Sequence, residues 1–144
     1  MSRSDLERFF PSLRDAEYEI TSPEDDGYNC IAWAAGDIER WWWPHPDAYW
    51  PHASLEVSVD AFVRAFAEFG YSPCDCADLE TGWEKVAIYA EANKPTHMAR
   101  QLSTGRWTSK CGENNDITHG LGDLAGDTYG EVVAILKRPA EELS

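Results

Sequence analysis

Positive charge is scarce in this chain: twelve Lys and Arg stand against twenty-six Asp and Glu in 144 residues, a formal net charge of −14. A surface of that sign repels phosphate backbones, which excludes nucleic-acid binding through a broad basic face and favours a basic protein partner. Long apolar runs are missing too. The longest fall far short of the roughly 18–20 residues of a membrane-spanning helix, so no membrane partner is expected. The opening residues, Met1-Ser2-Arg3-Ser4-Asp5-Leu6, hold no apolar run followed by a small-residue cleavage site, so no secretory signal is read and the expected location is cytoplasmic. Internal repeats and low-complexity tracts are absent, and the length suits a single domain over 1–144.

Cysteine is sparse as well, with four residues, Cys30, Cys74, Cys76 and Cys111. A cytoplasmic chain of this length needs no disulfides, and Cys74-Asp75-Cys76 is too closely spaced for an easy local bridge. A metal set built from Cys74, Cys76 and Cys111 with His45, His52 or His119 is disfavoured, because Cys-x-Cys is not the usual Cys-x₂-Cys knuckle. No metal or cofactor is therefore expected.

Aromatic residues are abundant, with seven Trp among them. Trp41, Trp42 and Trp43 fall in a loop that runs from Arg40 to His52, where Pro44, Pro46 and Pro51 forbid a regular helix. Such a loop serves either as a cleft wall that binds substrate or as a hydrophobic flap over the core. It follows the stretch Tyr28-Asn29-Cys30-Ile31-Ala32-Trp33-Ala34-Ala35-Gly36, which reads as a short helix. Asn29 suits its N-cap and Gly36 its C-terminal stop. A thiol in the first turn sits where free N–H groups and the helix dipole favour negative charge, the environment of a nucleophile. The alternative is a small buried Cys30 that only packs.

Around this stretch the pattern predicts helix over 4–10, extended chain over 17–20, and a polar loop over 21–27. A helix capped by Ser58 is predicted over 59–69, with Val59, Phe62, Val63, Phe66 and Phe69 on one stripe. Strands are predicted over 85–90, 96–102 and 106–110, joined by turns short enough for an antiparallel meander. A polar loop over 112–116, a short helix over 117–124 capped by Asp116, and a central strand over 129–138 complete the chain. Helices first and sheet second make the expected class α+β, with N-terminal helices packed on a small antiparallel sheet.

A thiolate needs a base and a group that orients the base. His97, at the start of the second strand of the meander, is the candidate base. Ser109, twelve residues on and past a tight turn, is the candidate orienter, and His119 is a rival for either role. Tyr28 or Asn29 is a candidate oxyanion donor and lines the substrate site together with the three tryptophans.

A cysteine that opens a helix, followed by a sheet whose second strand begins with histidine, resembles the papain-like cell-wall endopeptidases and amidases of the NlpC group. The resemblance runs over residues 28–110, with the group's Asp-Cys-Ser pattern standing here as Asn29-Cys30-Ile31. It implies a papain-like fold and a cysteine hydrolase with Cys30 as nucleophile and His97 as base, acting on a peptide or an amide-containing small molecule. The chain also resembles a family of uncharacterised bacterial proteins through Tyr28–Ala34, Thr96–Gln101, Gly105–Gly112, Asp116–His119 and Tyr129-Gly130. Set against the hydrolase is a non-catalytic, acidic protein-binding module of inhibitor or immunity type, in which Cys30 is structural.

Overall fold

A computed structural model describes residues 6–8, 10–21, 27–51, 55–110, 116–126 and 129–140. The predicted polar loops over 21–27 and 112–116 lie largely outside these residues, as do Phe9, His52 and Cys111.

The dominant element is an antiparallel sheet of the strands β1 (Glu19–Ile20), β2 (Ser72–Cys74), β3 (Trp83–Glu91), β4 (Lys94–Gln101), β5 (Trp107–Lys110), β6 (Asp116–His119) and β7 (Glu131–Pro139). Their order across the sheet is β1-β6-β5-β4-β3-β7-β2. This overturns the expected α+β, papain-like architecture: the molecule is mainly β. Among the described residues the helices are short beside the sheet. Residues 6–8 are helical, Pro11–Asp15 is a 3₁₀ turn, the Cys30 helix spans Cys30–Ala34 and the longest runs from Val59 to Ala67.

The sheet also claims residues assigned elsewhere from the sequence. Where a helix was expected over 117–124, Asp116–His119 is a strand paired with β5, and only Leu121–Leu124 coils, as a 3₁₀ turn. Alternation explains this, since Ile117 and His119 are buried on one face while β-branched Thr118 suits a pleat better than a helix. The last strand lies inside the sheet between β3 and β2, but β3 is the more buried, enclosed continuously from Lys85 to Ala90. A run buried on both faces means that both faces of the sheet are covered.

One face carries Val86, Ile88, Met98 and Leu136 and receives the Cys30 helix through Ile31 and Ala32. It also receives the Val59–Ala67 helix through Phe62 and Phe66. That second helix forms as its pattern predicts. Ser58 Oγ accepts the Ala61 N–H at 3.1 Å, although Phe69 falls beyond the end and is exposed. The opposite face carries Ala87, Tyr89, Ala99, Trp107 and Ile117 and is covered by Leu6, Phe10, Leu13, Tyr18 and Leu124.

Candidate functional site

Asn29 does what its sequence position suggests and more. Its Oδ1 accepts the Ala32 N–H at 3.0 Å, capping the Cys30 helix, and also the Trp42 N–H at 3.2 Å. Its Nδ2 donates to the Trp42 carbonyl at 2.7 Å. One buried amide thus ties the helix start to the aromatic loop, and these bonds hold Asn29 as a structural cap. Tyr28 is held as well: its hydroxyl donates to an Asp116 carboxylate oxygen at 2.9 Å, and the Lys110 ammonium lies 5.1 Å from its ring centre.

The tryptophan loop folds down as a flap. Trp42 is buried against Tyr49, Phe66 and Phe69, and its Nε1 donates to Asp37 at 2.8 Å. Trp43 and Trp50 pack on Phe62. Of the three consecutive tryptophans only Trp41 is exposed.

Cys30 is buried at the first turn of its helix, in the same cluster as Met98. Burial pushes the thiol up to about 11, outweighing the backbone N–H groups of Met98, Ile31 and Cys30 and the charge of Lys110, all of which pull it down. The short helix does not make a thiolate here, because desolvation is the larger effect.

His97 is fully buried and, although next to Met98 in β4, sends its side chain to other partners. Its ring stacks on Tyr129 at 4.0 Å between centroids, meets Tyr89 edge-on at 5.1 Å, and reaches Ser109 Oγ through Nε2 at 2.8 Å. Successive side chains of a strand leave opposite faces. Met98 faces the Cys30 helix, so its neighbour His97 faces away, into the cluster that holds Tyr89 and Ala99. The neighbouring strands agree. Thr108 accepts a hydrogen bond from Trp33 and Lys110 lies over Tyr28 on the helix side, whereas Ser109 between them joins His97. The structure therefore gathers His97, Ser109 and His119 on one face and leaves Cys30 on the other.

The three gathered side chains form a linear hydrogen-bonded chain. Ser109 Oγ is 2.6 Å from His119 Nε2, and His119 Nδ1 is 2.7 Å from the Gly120 carbonyl. A carbonyl only accepts, so the neutral His119 carries its proton on Nδ1 and accepts from the Ser109 hydroxyl. Ser109 in turn accepts from His97 Nε2–H, which leaves His97 Nδ1 as a bare lone pair, buried and without a hydrogen-bond partner among the described residues. Burial holds both imidazoles neutral. His119 is lowered to about 4, and His97 well below its ordinary value by burial and the His119 charge. All three residues are fully buried.

One concave region lies beyond the C-terminal end of the Cys30 helix, and another of about 630 Å³ lies beside Tyr18 and Arg106. The first, a cavity of about 540 Å³, is lined by Tyr71, Leu79, Glu80, Trp83, Arg100 and Arg138, among others, and by neither Cys30 nor His97. The sequence reading passed over Arg100, although it lies in the Thr96–Gln101 motif. The available signal was a cation in a base-poor chain, set on the same strand face as Met98. Among the described residues no three metal-binding side chains gather. Cys74 donates to the Cys76 carbonyl at 3.3 Å, while Cys111 and His52 are outside those residues. No described helix is long and apolar enough to cross a membrane.

Residues 19–137 match the family described as Domain of unknown function (DUF7689), and the chain belongs to it. No curated protein and no solved structure matches the chain.

Proposed function

We propose that this member of the DUF7689 family is a non-catalytic, acidic protein-binding module in which Cys30 is a packing residue. The observation that carries this reading is the separation of Cys30 from His97 by the sheet between them. A thioester mechanism requires a thiol and an imidazole that share a proton, with a carbonyl carbon in reach of both. Here the thiol is buried and held protonated, and the imidazole is occupied with Ser109 and Tyr129.

The surface supports binding. Exposed Ile38 and Trp41 stand beside the flap, and exposed Leu79 and Trp83 rim the cavity, on a chain of net charge −14. Apolar anchors in an acidic field suit a partner with a basic surface, recruited by long-range attraction and held by aromatic burial.

The test is the pH dependence of iodoacetamide alkylation, resolved by site. Exposed Cys76 is expected to react in the native protein, whereas Cys30 stays unmodified through neutral pH until the chain is unfolded. Fast reaction of Cys30 with an apparent pKa below that of a free thiol, about 8.5, and a shift of that titration in His97→Ala, would overturn the reading in favour of a cysteine hydrolase.

A further inference from the structure

We propose that the cavity beside Leu79 and Trp83 is a carboxylate-binding site with Arg100 as its anchor. The charges that line it are unequal in their commitments. Glu80 bridges Lys85 at 2.9 Å and Lys137 at 3.2 Å. Glu84 pairs with Arg138 at 2.8 Å, and Arg138 also donates to the Phe69 carbonyl and lies over Tyr71. Arg100 alone among these groups has no carboxylate and no hydrogen-bond acceptor among the described residues. Its guanidinium rests 4.8 Å from the centre of the Trp33 ring, and its Nε is buried without a hydrogen-bond partner among the described residues.

A half-buried guanidinium with no counter-ion among the described residues is stabilised by an anion. Because Nε is enclosed, the Nη edge is the part left to face the cavity, and its N–H groups suit a carboxylate, which takes two parallel hydrogen bonds from them. Glu80 is offset by Lys85 and Lys137 and Glu84 by Arg138, so the lining carboxylates add no net negative charge. Inorganic phosphate fits less well because it has no apolar body to set against Leu79 and Trp83.

The walls specify the rest of that ligand. Leu79 and Trp83 are exposed apolar side chains at the mouth, and about 540 Å³ holds a carboxylate joined to an aromatic or branched aliphatic body. The wall is also built to persist. The fully buried Lys85 ammonium donates to the carbonyls of Cys76 and Asp78, both at 2.7 Å, as well as to Glu80, and so fixes the 76–80 loop in place. Two sources supply such a carboxylate, a free small acid or the C-terminus of a protein chain. The second would deepen the protein-binding reading. The site itself does not depend on that reading, because it rests on Arg100 and not on Cys30.

The experiment is a titration of the full chain followed by amide and arginine side-chain NMR. The probes are phenylacetate, its uncharged analogue phenylacetamide, inorganic phosphate, and acetyl-Leu-Phe as free acid and as amide. One of the two free acids is expected to saturate and to shift Leu79, Trp83 and the Arg100 Nε–H. Its amide is expected to bind at least ten-fold more weakly, and phosphate likewise. Preference for phenylacetate over the peptide acid marks a small-molecule site, and the reverse marks a chain terminus. Arg100→Gln is expected to cost ten-fold or more, and Leu79→Ala, an exposed position, several-fold with folding intact. Equal binding of acid and amide, unchanged affinity in Arg100→Gln, or no saturation by either acid in the millimolar range would overturn the proposal. Leu79→Ala decides it if Arg100→Gln does not fold. Reactive Cys30 together with a functioning carboxylate site would remove the module reading and leave this one standing.

Discussion

At the residue scale, the fates of Cys30, Asn29 and the two buried histidines follow from desolvation measured against available partners. Asn29 satisfies three backbone groups with one side chain, so Asn29→Ala removes a helix cap and orphans the Trp42 N–H and carbonyl. A loss of about 2–4 kcal/mol is expected, readable as a drop in urea midpoint at unchanged m-value. His97 and His119 are buried neutral, with pKa values below those of the unfolded chain. Between the folded and unfolded pKa values the unfolded state binds more protons, so stability is full above about 6.5 and falls as pH drops. For His119 the loss runs down through about 4 and amounts to about 3 kcal/mol. Urea midpoints between pH 7 and 4 are expected to fall less steeply in His119→Gln than in the parent. Equal slopes would show that the imidazole is not buried neutral.

At the scale of elements, the pattern of turn residues and alternation made the β3-β4-β5 meander and the Ser58-capped helix readable. Both depend on contacts close in sequence. The placement of β7 beside β3, and of β2 and β1 at the sheet edges, comes from pairings far apart in sequence, which local patterning does not encode. Strand β6 was hidden because Asp116 resembles a helix cap, and Gly120 and Gly122 read as interruptions of a helix. The meeting of His97 with Ser109 was legible from their spacing across a tight turn. The face on which they meet was not, since a shift of one residue moves a side chain to the other side of the sheet. Turn geometry gives a further test. Gly130 has φ of +75°, and a side chain there would collide with the Ala90 carbonyl in the neighbouring strand. Gly130→Ala is expected to destabilise by at least about 3 kcal/mol, combining left-handed strain with overpacking. A thermal midpoint within a degree or two of the parent would refute that close approach.

At the scale of the whole molecule, the sheet acts as a partition. The helices and the aromatic flap cover one face, the N-terminal segment covers the other, and the cavity opens at the end of the Cys30 helix. Chemistry-bearing residues that look like one catalytic set in the sequence are divided by this partition. Its most direct test is a nuclear Overhauser experiment on the His97 ring protons. Cross-peaks to the rings of Tyr129 and Tyr89, and none to the Cys30 β-protons, are the expected result. Cross-peaks from His97 to Cys30 would put thiol and imidazole on one face, contradict the partition and restore the catalytic pair.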